Sequence, residues 1–421
     1  MAFAIMVAAV LFVLCQVAIF LGTPMGRLDR VYNSVRPLRI HVYDMPPRYN
    51  VDLLTKETWY NAACNKNNYG VEILLHQHLQ KMSVDAAQAD VFFVPLYATC
   101  ALHCKDSGFK SVTAMVHEAV EHINSTFPYF RARGGSDHVF AFTHDLGGCV
   151  ALAGQGIHPL LENSTFLVHS SSWLRGENVT ASRSTFSGCF RRGQDISIPP
   201  LSRIDELARG LPSRCARESE RRPILASFLG AIFAGGRNQY AVDHRLRLYE
   251  RFNTTVPAGA KPNDFRDAVV VSDVWTNQTW MHYAAFTRAS RFCLCPYGHM
   301  FWSFRVAECI GAGSIPVHFT RGWQPEPGVE HEWWLAEFLP DGCSWDDLSI
   351  ELSPEVIPNL TAVLLEVEAD AGQWLRRIRA LNDCWRYFSY AGHSEANALT
   401  LTLGALQRRR DAGLISGARS P

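Results

Sequence analysis

The segment FCLCPYGHMFWSFRVAECIGAGSIPVHF, residues 292–319, constrains the fold more than any other part of the chain. It opens and closes with apolar runs that have the length and composition of buried strands. A turn at Tyr297-Gly298 and a short amphipathic stretch beginning near Ser303 separate the two runs. The pattern predicts a strand–helix–strand unit with parallel strands, the building block of α/β folds.

Arg305 and Glu308 lie three positions apart in the helix predicted inside this unit. The start of that helix, with Ser303 as N-cap, offers free N–H groups and the positive end of the helix dipole to a diphosphate. Arg305 could pair with phosphate through its planar guanidinium. Glu308, one turn further on, could accept hydrogen bonds from ribose hydroxyls. The alternative is an ordinary exposed ion pair that contributes about 0.5 kcal/mol.

Composition places the chain among globular proteins that have large cores. It has 421 residues, of which 48% are hydrophobic and 19% charged, and this length suggests two domains. Forty basic residues balance forty acidic ones, so a nucleic-acid partner is not indicated. The one tight basic run, residues 408–410, is expected to lie in a solvated tail.

Strand-like and helix-like segments alternate along most of the chain. The other predicted strands are residues 38–43, 91–94, 139–142, 166–168, 224–229 and 269–271, and the other predicted helices are 71–79, 112–123, 242–252, 279–289 and 359–388. This alternation predicts an α/β protein with parallel sheets and a ligand cleft at the carboxyl ends of the strands. A charged, proline-containing linker near 212–223 divides it into domains at 38–215 and 222–390, followed by a tail at 391–421.

Residues 2–21 are apolar and uncharged, and about 20 such residues suffice to cross a bilayer as a helix. A cleaved signal peptide and an uncleaved signal anchor are both open, and the length of the run favours an anchor at 2–22 with a short stem at 23–37. The arginines that follow the run, from Arg27 to Arg39, would by the positive-inside rule keep the body cytosolic.

Cysteines and glycosylation motifs favour a lumenal body instead. Of twelve cysteines, eleven remain when Cys15 of the apolar run is set aside, which suggests several disulfides and a free thiol. Motifs of the type N-x-[ST] begin at Asn124, Asn163, Asn178, Asn253, Asn277 and Asn359. Together these features are typical of a secretory protein.

A second group of polar residues follows the predicted strand 139–142. His144 and Asp145 come directly after it, with glycines behind them, and strand ends are where α/β folds carry catalytic groups. Either side chain could take a proton from an acceptor hydroxyl. The alternative is structural: Asp145 caps a turn and His144 packs against it.

Metal and phosphate motifs are weak. The segment from Cys100 to Cys104, with His103 inside it, has no second ligand pair at zinc-site spacing, so disulfide bonding is the simpler interpretation. Cys293 and Cys295 share a face of their strand. The chain shows no P-loop, no G-x-S-x-G elbow and no D-x-D motif of a metal-held nucleotide sugar.

These motifs together resemble the exostosin family, glycosyltransferase family 47, over roughly residues 38–390. The matching segments, in the family's order, are VYDMPP at 42–47, ADVFFVP at 89–95, the segment 137–149, FLG at 228–230 with Arg245 after it, FCLCPYG at 292–298, SFRVAE at 303–308 and GSIPV at 313–317. Departures from the family pattern are Tyr297, where an arginine is common, and the HMFW loop that follows Gly298.

The resemblance implies a GT-B fold: two Rossmann-like domains that face a cleft, on an N-terminal anchor directed into the Golgi lumen. Such enzymes transfer a sugar, mostly from a UDP-linked donor, to a glycan acceptor with inversion. Carried onto this chain, it implies a C-terminal donor site formed by Gly230, Arg245, Gly298, Ser303, Arg305 and Glu308. It implies an N-terminal acceptor domain with Asp145 as the first choice of base and His144 as the second.

No metal or other cofactor is implied, because fixed cations and the helix dipole can stabilise the leaving nucleotide. The expected partners are a UDP-sugar, a glycan acceptor, the Golgi membrane and, in some assemblies, another glycosyltransferase. The rival interpretation is a non-catalytic lumenal member of the family that supports an active transferase.

Overall fold

The computed structural model describes residues 37–58, 69–153, 156–169, 171–174, 189–209, 222–232, 243–257, 259–273, 280–297, 303–319, 329–331, 339–340, 342–391 and 397–415. The predicted anchor at 2–22 and nearly all of the predicted stem lie outside these ranges. Within them, none of the helices combines the length and apolar character that crossing a membrane requires.

Strands and helices alternate as the sequence predicts. The strands are β1 Ile40–Val42, β2 Val91–Val94, β3 His138–Phe142, β4 Leu152–Ala153, β5 Gly156–Ile157, β6 Thr165–Val168, β7 Ser172–Leu174, β8 Ile196–Ser197, β9 Ile224–Gly230, β10 Val269–Asp273, β11 Ser290–Leu294, β12 Ile315–His318, β13 Val329–His331 and β14 Ile350–Glu351. The α-helices are α1 Val71–Lys81, α2 Ala98–His103, α3 Val112–Thr126, α4 Pro128–Ala132, α5 Ile204–Ala208, α6 Asp243–Phe252, α7 Trp280–Ala289, α8 Phe304–Gly311, α9 Trp345–Leu348, α10 Leu360–Ala369, α11 Ala371–Cys384 and α12 Ala398–Asp411.

The N-terminal unit is built on a five-stranded sheet with the order β1-β2-β3-β6-β8, in which every neighbouring pair is parallel. All four residues of β2 are buried, as expected for a strand covered on both faces. Alternate residues of β2 enter different cores: Val91 packs in one cluster with Leu75 of α1, and Phe92 packs in another with Val116 of α3. Helices therefore cover both faces of this sheet.

The C-terminal unit has a second parallel sheet, in the order β10-β9-β11-β12-β14. The chain moves from β9 to one side to form β10, and then to the other side for β11, β12 and β14. Strand order therefore reverses between β9 and β11. In open α/β sheets, ligands bind in the crevice beyond the carboxyl ends of the strands at such a switch point. Here that crevice lies beyond Gly230 and Leu294.

The chain passes between the two units more than once. Helix α5 packs against α8, where Ile204 meets Gly311, and Arg288 of α7 donates to the carbonyl oxygen of Leu207 at 3.0 Å. Strand β13 pairs antiparallel with β7 of the N-terminal unit. The prediction of an α/β protein with parallel sheets is confirmed.

One prediction for the C-terminal region is wrong. The basic run is only partly solvated: Arg408 is exposed, but Arg409 is 7% exposed and donates to the carbonyl oxygen of Asp195 at 2.8 Å, and Arg410 pairs with Asp90 at 3.3 Å. The tail forms α12, which returns to the N-terminal unit. The helical region predicted over 359–388 is confirmed as the two helices α10 and α11 and a short turn after them, with a break where Asp370 accepts from the backbone N–H of Gln373 and starts α11.

Disulfides are formed as the cysteine content predicts. Three bonds join Cys149 to Cys189, Cys293 to Cys309 and Cys343 to Cys384, and Cys100 is also disulfide-bonded. Within the described part of the chain, the thiols of Cys104 and Cys295 are free and buried.

Candidate active site

Arg305 projects from the first turn of α8 at the switch point of the C-terminal sheet. Ser303 is the N-cap of this helix, as predicted, and its hydroxyl accepts from the backbone N–H of Arg305 at 3.2 Å. The Arg305 side chain is only 9% exposed, and its Cζ lies 4.7 Å from the ring centroid of Phe228 and 5.3 Å from that of Tyr283. Among the described residues, no acceptor is hydrogen-bonded to the guanidinium. A buried cation without an acceptor is costly unless an anion binds it.

Gly230 ends β9 directly against this guanidinium. A Cβ atom at this position would lie 2.7 Å from Arg305 Nη2 and 2.5 Å from the Cζ of Phe228. Both distances are shorter than van der Waals contact, so only glycine leaves the Arg305 side chain where it is. The predicted grouping of Gly230 with Arg305 is therefore seen in the structure.

Arg245, on α6, brings a second cation to the same strand end. It is 9% exposed, its Nη1 donates to the carbonyl oxygen of Ala231 at 2.8 Å, and its Cζ lies 5.5 Å from the ring of Phe228. Arg245 and Arg305 thus approach one ring at the carboxyl end of β9. Together with the N-terminus of α8, they make this crevice electropositive.

Glu308 lies one turn beyond Arg305 and is 2% exposed. The hydroxyl of Tyr283 donates to its Oε2 at 2.7 Å, and the backbone N–H of Arg203 approaches its Oε1 at 3.4 Å. Burial raises the pKa of Glu308, while the Tyr283 hydroxyl and the Arg305 charge act in the opposite direction. The alternative of an exposed Arg305–Glu308 ion pair is wrong, because both side chains are buried.

Cys295 follows β11, next to the same helix. It is 3% exposed, and its Sγ lies 3.8 Å from the Sγ of Cys309, which is bonded to Cys293. The three sulfur atoms lie within 4.8 Å of one another, but the disulfide occupies two of them. Burial raises the pKa of the Cys295 thiol to about 12, so this group stays neutral and packs as an apolar side chain.

His144 and Asp145 lie in the N-terminal unit, just beyond the carboxyl end of β3, and both are half-buried. The hydroxyl of Tyr69 donates to Asp145 Oδ2 at 3.3 Å. His144 Nδ1 accepts from the backbone N–H of Leu146 at 3.1 Å, so the histidine caps the turn that the sequence interpretation assigned to Asp145. The His144 ring packs 5.0 Å from the ring of Tyr69 and 5.3 Å from that of His103.

Asp137 and His138, from the same motif, sit at the opposite end of β3 and are fully buried. His138 Nδ1 lies 2.7 Å from Asp137 Oδ1, and its Nε2 lies 2.8 Å from the hydroxyl of Tyr43. This chain of contacts is inside the core at the amino end of the strand. It supports the sheet and lies away from the edge where His144 and Asp145 emerge.

Glu72 was not singled out from the sequence. This side chain of the first turn of α1 is 1% exposed, and its two oxygens accept from the backbone N–H groups of Thr99 and Cys100 at 3.1 and 3.0 Å. Burial raises its pKa to about 8. Glu72 ties α1 to the start of α2 and thereby holds the segment that carries Tyr69.

The structure thus brings Gly230, Arg245, Ser303, Arg305 and Glu308 together at one strand edge, and places His144 and Asp145 on the other unit. Gly298 lies outside the described residues. Sequence reasoning missed Tyr283 and Tyr69, because helical spacing on α7 and a loop position before α1 carry no motif. Phe228 is also missed, apart from its place in the FLG motif. It lies two residues before Gly230, so the alternation of side chains along a strand puts both residues on one face of β9.

Comparison with known proteins identifies the family of the chain. The model of the Exostosin GT47 domain matches residues 34–364. A probable glucuronosyltransferase of Oryza sativa subsp. japonica is 27% identical over 354 residues, which cover 80% of this chain and 73% of that protein. The probable beta-1,4-xylosyltransferase IRX10L of Arabidopsis thaliana is 26% identical, over 80% of this chain and 72% of its own.

A solved structure, AviGT4, a glycosyltransferase involved in avilamycin A biosynthesis, aligns over 90% of this chain and 99% of its own at 13% identity, with a TM-score of 0.35.

The family match and the relatives define the class of this protein as a glycosyltransferase. The family match extends over most of the chain, and the protein belongs to the exostosin GT47 family.

Proposed function

We propose that this protein is an inverting glycosyltransferase of the GT-B type that transfers a sugar from a UDP-linked donor to a glycan in the Golgi lumen. The observation that carries the proposal is Arg305: a buried guanidinium, without an acceptor among the described residues, at the switch point of the C-terminal sheet. A nucleoside diphosphate supplies the missing anion and fits the place where such folds bind nucleotides.

In this proposal the diphosphate lies between Arg305, Arg245 and the N-terminus of α8 at Ser303. Arg305 has a planar fork that matches phosphate oxygens. The ribose hydroxyls donate to Glu308, whose carboxylate has about four lone-pair positions, of which the Tyr283 hydroxyl and the Arg203 amide use two. As the glycosidic bond to UDP breaks, these cations and the helix dipole stabilise the charge on the leaving group without moving.

The acceptor binds on the N-terminal unit, at the carboxyl edge where Asp145 emerges. Inversion requires one base opposite the leaving group. Asp145 takes the proton of the attacking hydroxyl as that oxygen bonds to the anomeric carbon and UDP departs. His144 is the second candidate, although its Nδ1 already accepts from Leu146. The hydroxyl of Tyr69 orients the carboxylate of Asp145.

The names of the relatives suggest which donors to test first. Because they are called glucuronosyltransferase and xylosyltransferase, we propose UDP-glucuronic acid and UDP-xylose, with a cell-wall or matrix glycan as the acceptor. Tyr297, which stands where many family members have arginine, lies three residues beyond the end of β11 and bears on this choice.

For localisation we propose a single-pass type II membrane protein anchored through residues 2–22, with its catalytic body in the Golgi lumen. The disulfides support an oxidising compartment. Three glycosylation motifs, at Asn163, Asn253 and Asn359, begin at exposed residues. Endoglycosidase sensitivity of the expressed protein tests the lumenal orientation, and a protein without any N-glycan would contradict it.

A donor screen tests the enzymatic proposal. Detergent-solubilised full-length protein is incubated with a panel of UDP-sugars and oligosaccharide acceptors, and released UDP and the product linkage are measured. One donor is expected to give product with an inverted anomeric centre. If the folded protein binds no nucleotide sugar, the rival proposal of a non-catalytic partner for another transferase replaces this one.

A further inference from the structure

We propose that Tyr283 is a positioning residue of the donor site with two separable actions: its ring holds Arg305, and its hydroxyl orients Glu308. The inference rests on the proposed function, because it concerns how the same crevice recognises a nucleoside diphosphate. It divides recognition of the donor between a ring that serves the diphosphate and a hydroxyl that serves the ribose.

The ring action follows from the placement of the Arg305 guanidinium between two aromatic side chains. Its Cζ lies 5.3 Å from the ring centroid of Tyr283 and 4.7 Å from that of Phe228. Two rings at these distances stabilise a cation and restrict a long, flexible side chain to one position. Phe228 is fixed in β9, whereas Tyr283 comes from α7. The guanidinium thus depends on an element outside its own helix and strand.

The hydroxyl action follows from the contact with Glu308. The Tyr283 hydroxyl donates to Oε2 at 2.7 Å, the shorter of the two hydrogen bonds that the carboxylate receives. Burial raises the pKa of Tyr283 well above its usual value, so this hydroxyl stays protonated and acts on the carboxylate as a donor. The hydrogen bond favours the charged form of Glu308 and fixes its plane, and a ribose hydroxyl needs both in order to donate to the carboxylate.

Two substitutions separate the actions. Tyr283→Phe keeps the ring and removes the hydroxyl, and Tyr283→Leu removes both. The full-length protein in detergent is titrated by calorimetry with UDP, which has ribose and diphosphate, and with inorganic pyrophosphate, which has only the charged part. Met281→Ala is the matched control, because Met281 lies on the same helix and is 71% exposed.

Tyr283→Phe is expected to weaken UDP binding about tenfold, the cost of one hydrogen bond to a charged group, and to leave pyrophosphate affinity within about twofold. Tyr283→Leu is expected to weaken both ligands about tenfold or more. The pH dependence of UDP affinity is a further readout. Without the hydroxyl, Glu308 protonates more readily. As the pH is lowered, Tyr283→Phe is therefore expected to lose UDP affinity at a higher pH than the wild type does. Circular dichroism spectra and thermal unfolding curves of both variants that match those of the wild type confirm that the variants are folded.

Equal loss of UDP and pyrophosphate binding in Tyr283→Phe would overturn the assignment of the hydroxyl to the ribose side. Pyrophosphate affinity unchanged in Tyr283→Leu would overturn the role of the ring. If the wild type binds UDP and both variants bind UDP and pyrophosphate with wild-type affinity, this inference is overturned and the proposed function is not. Wild-type protein that binds neither ligand would overturn the proposed function, and this inference with it.

Discussion

The guanidinium of Arg305 packs over the ring of Phe228, with 4.7 Å between its Cζ and the ring centroid. Because no acceptor among the described residues is hydrogen-bonded to this cation, its loss removes binding energy without breaking an internal hydrogen bond. Arg305→Ala is expected to weaken UDP binding about 10- to 100-fold and to leave the midpoint of thermal unfolding nearly unchanged. Titration with UDP and a thermal scan measure the two effects. Arg251→Ala, on the outer surface of α6, is the control. Unfolding of Arg305→Ala would instead assign the arginine a structural role.

Gly230→Ala tests the close approach at the end of β9. The added methyl group would lie 2.5 Å from Phe228 Cζ and 2.7 Å from Arg305 Nη2, so the Phe228 ring and the guanidinium that packs on it must both shift. We expect UDP affinity to fall about tenfold while the protein stays folded. Gly372→Ala is the matched control, since its Cβ would be no closer than 3.5 Å to another atom and it lies in helix α11. Unchanged UDP affinity in Gly230→Ala would mean that Arg305 does not bind the donor.

Asp145→Asn separates chemistry from donor binding. If Asp145 is the base, transfer to the glycan is expected to fall about 100- to 10,000-fold, with UDP affinity unchanged. The rate of product formation at saturating donor gives the transfer activity, and titration with UDP gives the donor affinity. Asp85→Asn, an exposed change on the same unit, controls for the loss of a surface charge. Transfer at a near-normal rate in Asp145→Asn, together with loss in His144→Asn, would move the base to His144.

Gly311→Ala tests the contact between helix α5 and helix α8. A Cβ at Gly311 would lie 2.4 Å from Ile204 Cγ1 and 2.9 Å from the Ile204 carbonyl oxygen. Because backbone cannot yield as a side chain can, we expect a loss of about 1–3 kcal/mol in the free energy of unfolding. Chemical denaturation measures it. Stability equal to or above that of the wild type, as expected for an unhindered helical Gly→Ala change, would show that α5 does not pack tightly here.

Glu72 predicts a pH dependence of stability. Its pKa is raised from 4.5 to about 8, so between these values the folded protein retains a proton that the unfolded chain releases. The free energy of unfolding therefore falls as pH rises through this window, by up to about 1.4 kcal/mol per pH unit from this group. Glu72→Gln is expected to flatten that slope in denaturation curves recorded from pH 5 to about 8. The exposed change Glu366→Gln should keep the wild-type slope. An unaltered slope in Glu72→Gln would contradict the assignment.

Much of the fold could be predicted from the sequence, because buried parallel strands are unbroken apolar runs such as Val91–Val94, and Ser303 is a local helix-start signal that the structure confirms. The failures come from interactions between distant residues. Arg409 looked like part of a solvated tail because its acceptor, the carbonyl oxygen of Asp195, is over two hundred residues away. Tyr283 carried no motif because its importance comes from Arg305 and Glu308, which only folding brings near it.

The return of α12 to the N-terminal unit means that two stretches of chain, not one, join the halves of the molecule. They touch: the hydroxyl of Tyr390 donates to the carbonyl oxygen of Pro199, and that of Ser389 to the carboxylate of Asp205, both at 2.8 Å. Strand β13, paired with β7, adds a further connection between the halves. A rotation that widens the crevice must therefore keep this pairing and the two hydroxyl contacts, or break them.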